Sequence, residues 1–203
     1  MKKLRENLEH FIEYYLWQTI GIIVIVAVIA SLIHAYVTQE EALLSFHIIK
    51  DQFTTDQVDE FEKRVASEFM EHEDDFFVVQ SLNPSARFEN PDVAILFQRF
   101  AAEVTAKEVD FVLLDEAAFR DFNKDGQLYD LNDLDSFKGW DGQTYNSIDN
   151  PEEITGIDVS EHPFFDSLVI DGEPLILSVI INTERQEKVN QFIDFIAHYP
   201  NDD

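Results

Sequence analysis

The chain has 203 residues, no cysteine, and a net charge of −27 from 14 basic against 41 acidic residues. The missing cysteine excludes disulfides, a thiolate nucleophile, cysteine-held zinc and a lipid-modified N-terminal cysteine. The charge repels phosphate backbones, so nucleic acid is excluded as a partner and cations are favoured.

Residues 1–16, MKKLRENLEHFIEYYL, set Leu4, Leu8, Phe11, Ile12 and Tyr15 at helical spacing and read as an amphipathic leader. Residues 17–37, WQTIGIIVIVAVIASLIHAYV, carry no charge. As a helix they reach roughly 31 Å, close to a bilayer's hydrocarbon thickness. Trp17 and Tyr36 stand near the two ends as membrane-interface anchors. The cations of this end, Lys2, Lys3 and Arg5, precede the span, and the charge beyond it is mostly acidic. The positive-inside rule then places the N-terminus in the cytoplasm. A cleaved signal peptide fits less well, because the apolar run is long and Ile33-His34-Ala35 is a poor cleavage site.

Beyond residue 37 apolar runs of strand length alternate with helical spacing. Residues 42–49, ALLSFHII, predict a buried strand, and Thr55 caps a helix with Val58, Phe61, Val65 and Phe69 on one face. Residues 76–82, FFVVQSL, predict a second strand. Pro91 opens a helix to about Ala106 that buries Ile95, Leu96, Phe100 and Val104. Residues 109–114, VDFVLL, predict a third strand, and residues 116–123 a short helix with Phe119 and Phe122. Residues 124–165 hold Gly126, Gly139, Gly142 and Gly156 and read as largely irregular. A strand at 167–170, a type I′ turn at Asp171-Gly172 and a strand at 175–181 predict a hairpin. Thr183 caps a last helix with Val189, Phe192, Ile193 and Ile196 inward. This order predicts a three-layer α/β domain with a largely parallel early sheet.

Within residues 108–134, EVDFVLLDEAAFRDFNKDGQLYDLNDL, a buried strand ends in Asp115 and leads to a helix holding Phe119, then Gly126 and the Leu128-x-Asp130-Leu131 segment. Residues 175–197 place Asn182 before a helix with a Phe-Ile-x-Phe motif. These two stretches resemble extracellular solute-binding proteins of ABC transporters. The resemblance implies a single lobe of the periplasmic-binding-protein-like fold, since the chain has room for one lobe and lacks the usual lipidated cysteine.

Asp121, Asn123 and Asp125, with Gly126 and Leu128 following, match the opening of a calcium loop. The twelfth position is Asn132 instead of a bidentate carboxylate, so the same residues also read as a helix C-terminal turn with Gly126 left-handed. Residues 71–75, EHEDD, read as a solvated connection. Trp140 and Tyr145, in a glycine-rich loop, are candidate contacts for a sugar or peptide. There is no G-x-S-x-G, H-E-x-x-H, phosphate-binding loop or G-x-G-x-x-G, and no histidine pair four apart, so the chain reads as a non-enzyme.

Together these features predict a single-pass cell-membrane protein: residues 1–16 a cytoplasmic leader, 17–37 a transmembrane helix, and 38–203 an acidic extracytoplasmic domain. Its expected work is non-catalytic binding or accessory function toward a small solute or another membrane or secreted protein, without a cofactor. The alternative is a calcium-dependent structural or interaction domain at the cell surface.

Overall fold

Leu44–Ile49 (β1) is buried along its whole length, as a strand covered on both faces and paired on both edges must be. It is flanked by two parallel neighbours, Phe77–Leu82 (β2) and Phe111–Leu114 (β3). Beyond β3 the sheet turns antiparallel, through Ile176–Val179 (β6), Ile154–Asp158 (β5) and Thr144–Asn146 (β4). The result is a six-stranded mixed sheet in the order β2-β1-β3-β6-β5-β4.

The structure is a computed structural model that describes residues 18, 20–31, 42–70, 77–88, 90–170 and 172–200. The chain divides into two compact units, Met1–Glu41 and Ala42–Asp203.

In the first unit, residues 20–31 are helical (α1) and exposed throughout. Among the described residues no helix is long and apolar enough to cross a membrane. The expected transmembrane helix at residues 17–37 is corrected on that finding. With it fall the single-pass architecture, the membrane as partner, and the cell-membrane localisation with a cytoplasmic N-terminus and an extracytoplasmic domain. The predicted leader at residues 1–16 and the anchors Trp17 and Tyr36 lie outside the described residues.

In the second unit the period-2 alternation of β3 divides the core. Phe111 and Leu113 face one hydrophobic cluster, while Val112 and Leu114 face the other. The first cluster is closed by Thr55–Arg64 (α2) and Gln186–Ala197 (α5) through Phe61, Phe192 and Ile196, with Phe164 and Phe165 from a 3₁₀ segment between them. The second is closed by Pro91–Thr105 (α3) and Glu116–Lys124 (α4), through Phe100 and Phe119. Helices therefore cover both faces of the sheet, an α/β architecture.

Local chemistry sets the ends of these helices. Thr54, not Thr55, caps α2: its hydroxyl accepts from Gln57 N at 3.3 Å, and Gln57 Oε1 accepts from Thr54 N at 2.9 Å, a reciprocal capping box. Asn90 and Pro91 open α3, and Asp115 caps α4 from Ala118 N at 2.8 Å. Thr183 does not cap α5. The helix begins after Arg185, and the Thr183 hydroxyl donates to buried Asp110.

Asp110 also accepts from Ser45 N at 2.9 Å and from Arg185 Nε at 2.9 Å. This ties the start of α5 to the entry of β1 and β3.

Two other expectations fail for packing reasons. Ile95 and Leu96 are 60% and 42% exposed, because α3 turns Phe97, Phe100 and Val104 to the sheet instead. The predicted 167–170/175–181 hairpin reduces to one bridge, Ile170 to Glu173. Residues Pro163–Leu168 are 3₁₀, and β6 pairs with β3 and β5. The stretch read as irregular supplies β4 and β5.

Candidate functional site

Open α/β sheets gather ligands outside the carboxyl ends of their strands, at the point where strand order reverses. Here the reversal lies between β1 and β3. Asp158 at the end of β5 pairs with Ile176, which pairs with Leu114 at the end of β3. The carboxyl ends of β3 and β5 therefore share one edge of the sheet.

At the β1/β3 reversal that edge is filled. Lys50 is 3% exposed, and its Nζ donates to Leu168 O at 2.8 Å. Burial pushes its pKa down, against the opposing pull of Glu173 and Asp115. Asp51 N donates to Asp115 Oδ2 at 3.0 Å, and Asp51 Oδ1 accepts from Ser85 N at 2.9 Å. These groups are spent on one another.

At the carboxyl end of β5 the same edge opens into a cleft of about 600 Å³. Three segments line it: the approach to β4 with Trp140 and Asp141, the exit of β5 with Asp158, Glu161 and His162, and the chain at the C-terminal end of α5 with Tyr199. Trp140 and His162 stack with ring centroids 6.1 Å apart and planes 18° from parallel. The indole Nε1 is buried and has no partner among the described residues. A Cβ on Gly142 would stand 2.9 Å from that nitrogen, so only glycine lets the backbone come this close.

His162 is held as a neutral tautomer by its two neighbours. Nδ1 accepts from Phe164 N at 3.2 Å, which leaves Nε2 to carry the proton toward Ile196 O at 2.9 Å. Burial lowers the imidazole pKa, and the bond to Ile196 O opposes that shift.

Asp158 is fixed from behind. Its Oδ1 accepts from Ser160 N at 3.0 Å, an Asx turn, and its Oδ2 accepts from Tyr145 OH at 3.0 Å. Burial and then the Asp158 carboxylate push the Tyr145 pKa up to about 12, so the phenol stays a donor. Asp141 and Glu161 are exposed at the rim.

The residues singled out in the sequence divide between three surroundings. Trp140 forms a wall of the cleft, whereas Tyr145 stands behind it as the support of Asp158. Asp121 and Asp125 lie exposed at the end of α4. Asn123 turns inward, donating to Asn146 O at 2.9 Å and accepting from Thr155 Oγ1 at 3.1 Å. Its amide is therefore unavailable to complete a calcium loop with them, and Gly126, at φ +63°, ends the helix. Among the described residues no group of three or more His, Cys, Asp or Glu is placed to hold a metal ion. The carboxylates of residues 71–75 lie outside the described residues.

Sequence reasoning missed Asp158, Glu161 and His162. The Asp158-x-Ser160 turn followed by His162-Pro163 was the available local signal.

The motif behind the solute-binding resemblance has a plain structural account. Asp115 is an N-cap, Phe119 is core, Gly126 is a left-handed helix end, and Asp130 Oδ1 accepts from Asn132 N at 3.1 Å and Ile154 N at 3.1 Å. Any buried strand leading to a capped helix and a tight exit can call for the same residues. No protein-family model, no curated protein and no solved structure matches the chain. The expected kinship with solute-binding proteins of ABC transporters is therefore withdrawn, and with it the periplasmic-binding-protein lobe as the fold family.

Proposed function

We propose that residues 42–200 form a non-catalytic binding module whose ligand seat is the cleft at the carboxyl end of β5. One observation carries this reading: a recess of about 600 Å³ walled by a stacked Trp140/His162 pair and a carboxylate, Asp158, already held in place by Tyr145 and Ser160. Pockets of this size suit small ligands or a single side chain of a larger one. Preorganised polar groups lower the ordering cost of binding.

Against a histidine-based catalytic reading, His162 spends both ring nitrogens on the backbone, so the imidazole that lines the cleft is not free to serve as a base for a nucleophile.

The test is a ligand-observed NMR screen of the full-length chain against small cationic, neutral and anionic compounds. Saturable binding that Trp140→Ala abolishes, with the compound recovered unchanged, is the expected result. Binding that survives Trp140→Ala, chemical conversion of the compound, or no binding in any class overturns the reading.

A further inference from the structure

Resting on that cleft as the ligand seat, we propose that it takes an organic cation, an ammonium or guanidinium group. Three independent features of the recess agree. Its charged lining residues are Asp141, Asp158 and Glu161, with no lysine or arginine among them. The C-terminal turn of α5 contributes Ile196 and Ala197 to the wall. A 12-residue helix ends there, and its C-terminus carries the partial negative charge of the helix dipole, although Ile196 O already accepts from His162 Nε2 and Tyr199 N. Trp140 presents an indole, the aromatic ring that holds cations best, and His162 behind it is locked neutral by its two backbone bonds.

Each part contributes differently. Asp158 is the fixed charge, since Tyr145 and Ser160 leave it one orientation. Asp141 and Glu161, exposed at the rim, raise the local concentration of cations and act on the approach more than on the bound state. The chain's net charge of −27 adds a long-range attraction of the same sign.

Shape narrows the class further. A bare metal ion needs several oxygens converging within coordination distance, and among the described residues no group of three or more His, Cys, Asp or Glu is placed to hold one. An organic cation instead uses an aromatic surface together with one ion pair, which this cleft provides.

The sequence holds two tryptophans, Trp17 and Trp140, so full-length chain carrying Trp17→Phe reports on Trp140 alone. Its emission is titrated at about pH 8, where histidine is neutral, with tetramethylammonium, argininamide, glucose and acetate. The expected result is a saturable change with at least one of the two cations, at a Kd roughly tenfold or more below those of glucose and acetate. Asp158→Asn then weakens the cation about tenfold, and Glu161→Gln, an exposed change that leaves the fold alone, weakens it about two- to threefold with a larger loss at low salt. Circular dichroism confirms that both variants are folded. Glucose or acetate binding as tightly as the cations overturns the cationic class while leaving the cleft as a ligand seat. No response to any of the four compounds also overturns the class, and the seat itself then stands or falls by the broader screen and its Trp140→Ala control.

Discussion

The carboxyl ends of β1 and β3 and the carboxyl end of β5 lie along one edge of one sheet, yet the first is filled and the second is open. At the filled end a buried amine, Lys50, reaches a backbone carbonyl, and Asp51 and Asp115 satisfy neighbouring N–H groups. At the open end Asp158 is held from behind while Asp141 and Glu161 face water. Strand topology names the edge where ligands gather. Which place on that edge remains available depends on whether its polar groups already have partners within the chain.

If this contrast is right, substitutions at the filled end cost stability and spare binding, and those at the open end do the reverse. The largest effect is expected from Lys50→Ala. It removes a buried aliphatic stem and leaves Leu168 O without its donor, a loss of about 2–4 kcal/mol measurable by urea unfolding. Lys50→Met refills the volume and leaves only the carbonyl unpaired, so its cost falls to about 1–2 kcal/mol. Cation affinity of the folded protein stays unchanged in both. A Lys50→Ala chain of normal stability that binds nothing would break the contrast and move the site to the β1/β3 reversal.

Asp115→Ala comes next. It removes the cap of α4 and the acceptor for Asp51 N, about 1–2 kcal/mol together. Asp115→Asn keeps an acceptor oxygen and recovers most of that loss. Thermal unfolding distinguishes the two, and both bind as the parent does.

The filled end was the more legible in sequence, and the reason is physical. Continuous apolar runs at 44–49 and 111–114 are local signals that predict buried strands, whereas the sequence marks Asp115 only as the end of a strand and its capping of α4 comes from the structure. β4 and β5 were missed because Thr144–Asn146 and Ile154–Asp158 are short and owe their strand form to pairing with each other and with β6. Ile95 and Leu96 were misjudged because helical spacing shows that a face is apolar without showing which way it turns. The open end escaped for a similar reason. Trp140, Asp158 and Tyr199 come from separate segments, and only tertiary packing brings them together. Trp140 stands out, with Tyr145, as an aromatic in a glycine-rich loop, whereas Asp158 is one acid among 41 acidic residues. The apolar run at 17–37 taught the opposite lesson, since a strong local signal there did not translate into a membrane-spanning helix among the described residues.

A smaller effect, in pH, separates the two histidines. Burial lowers the pKa of both His47 and His162 below the ordinary 6.5, with Glu103 opposing it at His47 and Ile196 O at His162. Between 6.5 and those lower folded values the unfolded chain binds more protons than the native one, so the unfolding free energy falls as pH drops through that window and levels off beneath it. His47 lies under α3, 3.1 Å from Glu103, with Arg99 and Gln80 on the same carboxylate and Asp110 nearby. His47→Gln therefore flattens the pH dependence of stability alone. His162 packs against Trp140, Phe165 and Tyr199, in a cleft whose carboxylates are Asp141, Asp158 and Glu161. A proton on its Nδ1 displaces the bond from Phe164 N and places a positive charge against the bound cation. Affinity for tetramethylammonium is thus expected to weaken as the pH falls below 6.5, toward the lowered folded value of His162, and His162→Gln to remove the His162 share of that dependence. Equal pH profiles of affinity in parent and His162→Gln would detach the imidazole from the site.

The smallest change in stability should come from Gly142→Ala, and it isolates the open end most cleanly. Gly142 is exposed, and an added methyl would stand 2.9 Å from Trp140 Nε1 and 3.0 Å from Cε2, too close to be accommodated without movement. The cheapest adjustment is a shift of the indole, which belongs to a half-exposed side chain, so unfolding should change by no more than about 0.5 kcal/mol. That shift disturbs the parallel stack on His162 and alters the aromatic wall. In the Trp17→Phe background the Trp140 emission maximum should move, and the affinity for a cation should fall about three- to tenfold. A moved emission maximum with full affinity would show that the indole does not touch the ligand, and would leave Asp158 with the α5 terminus as the parts that hold it.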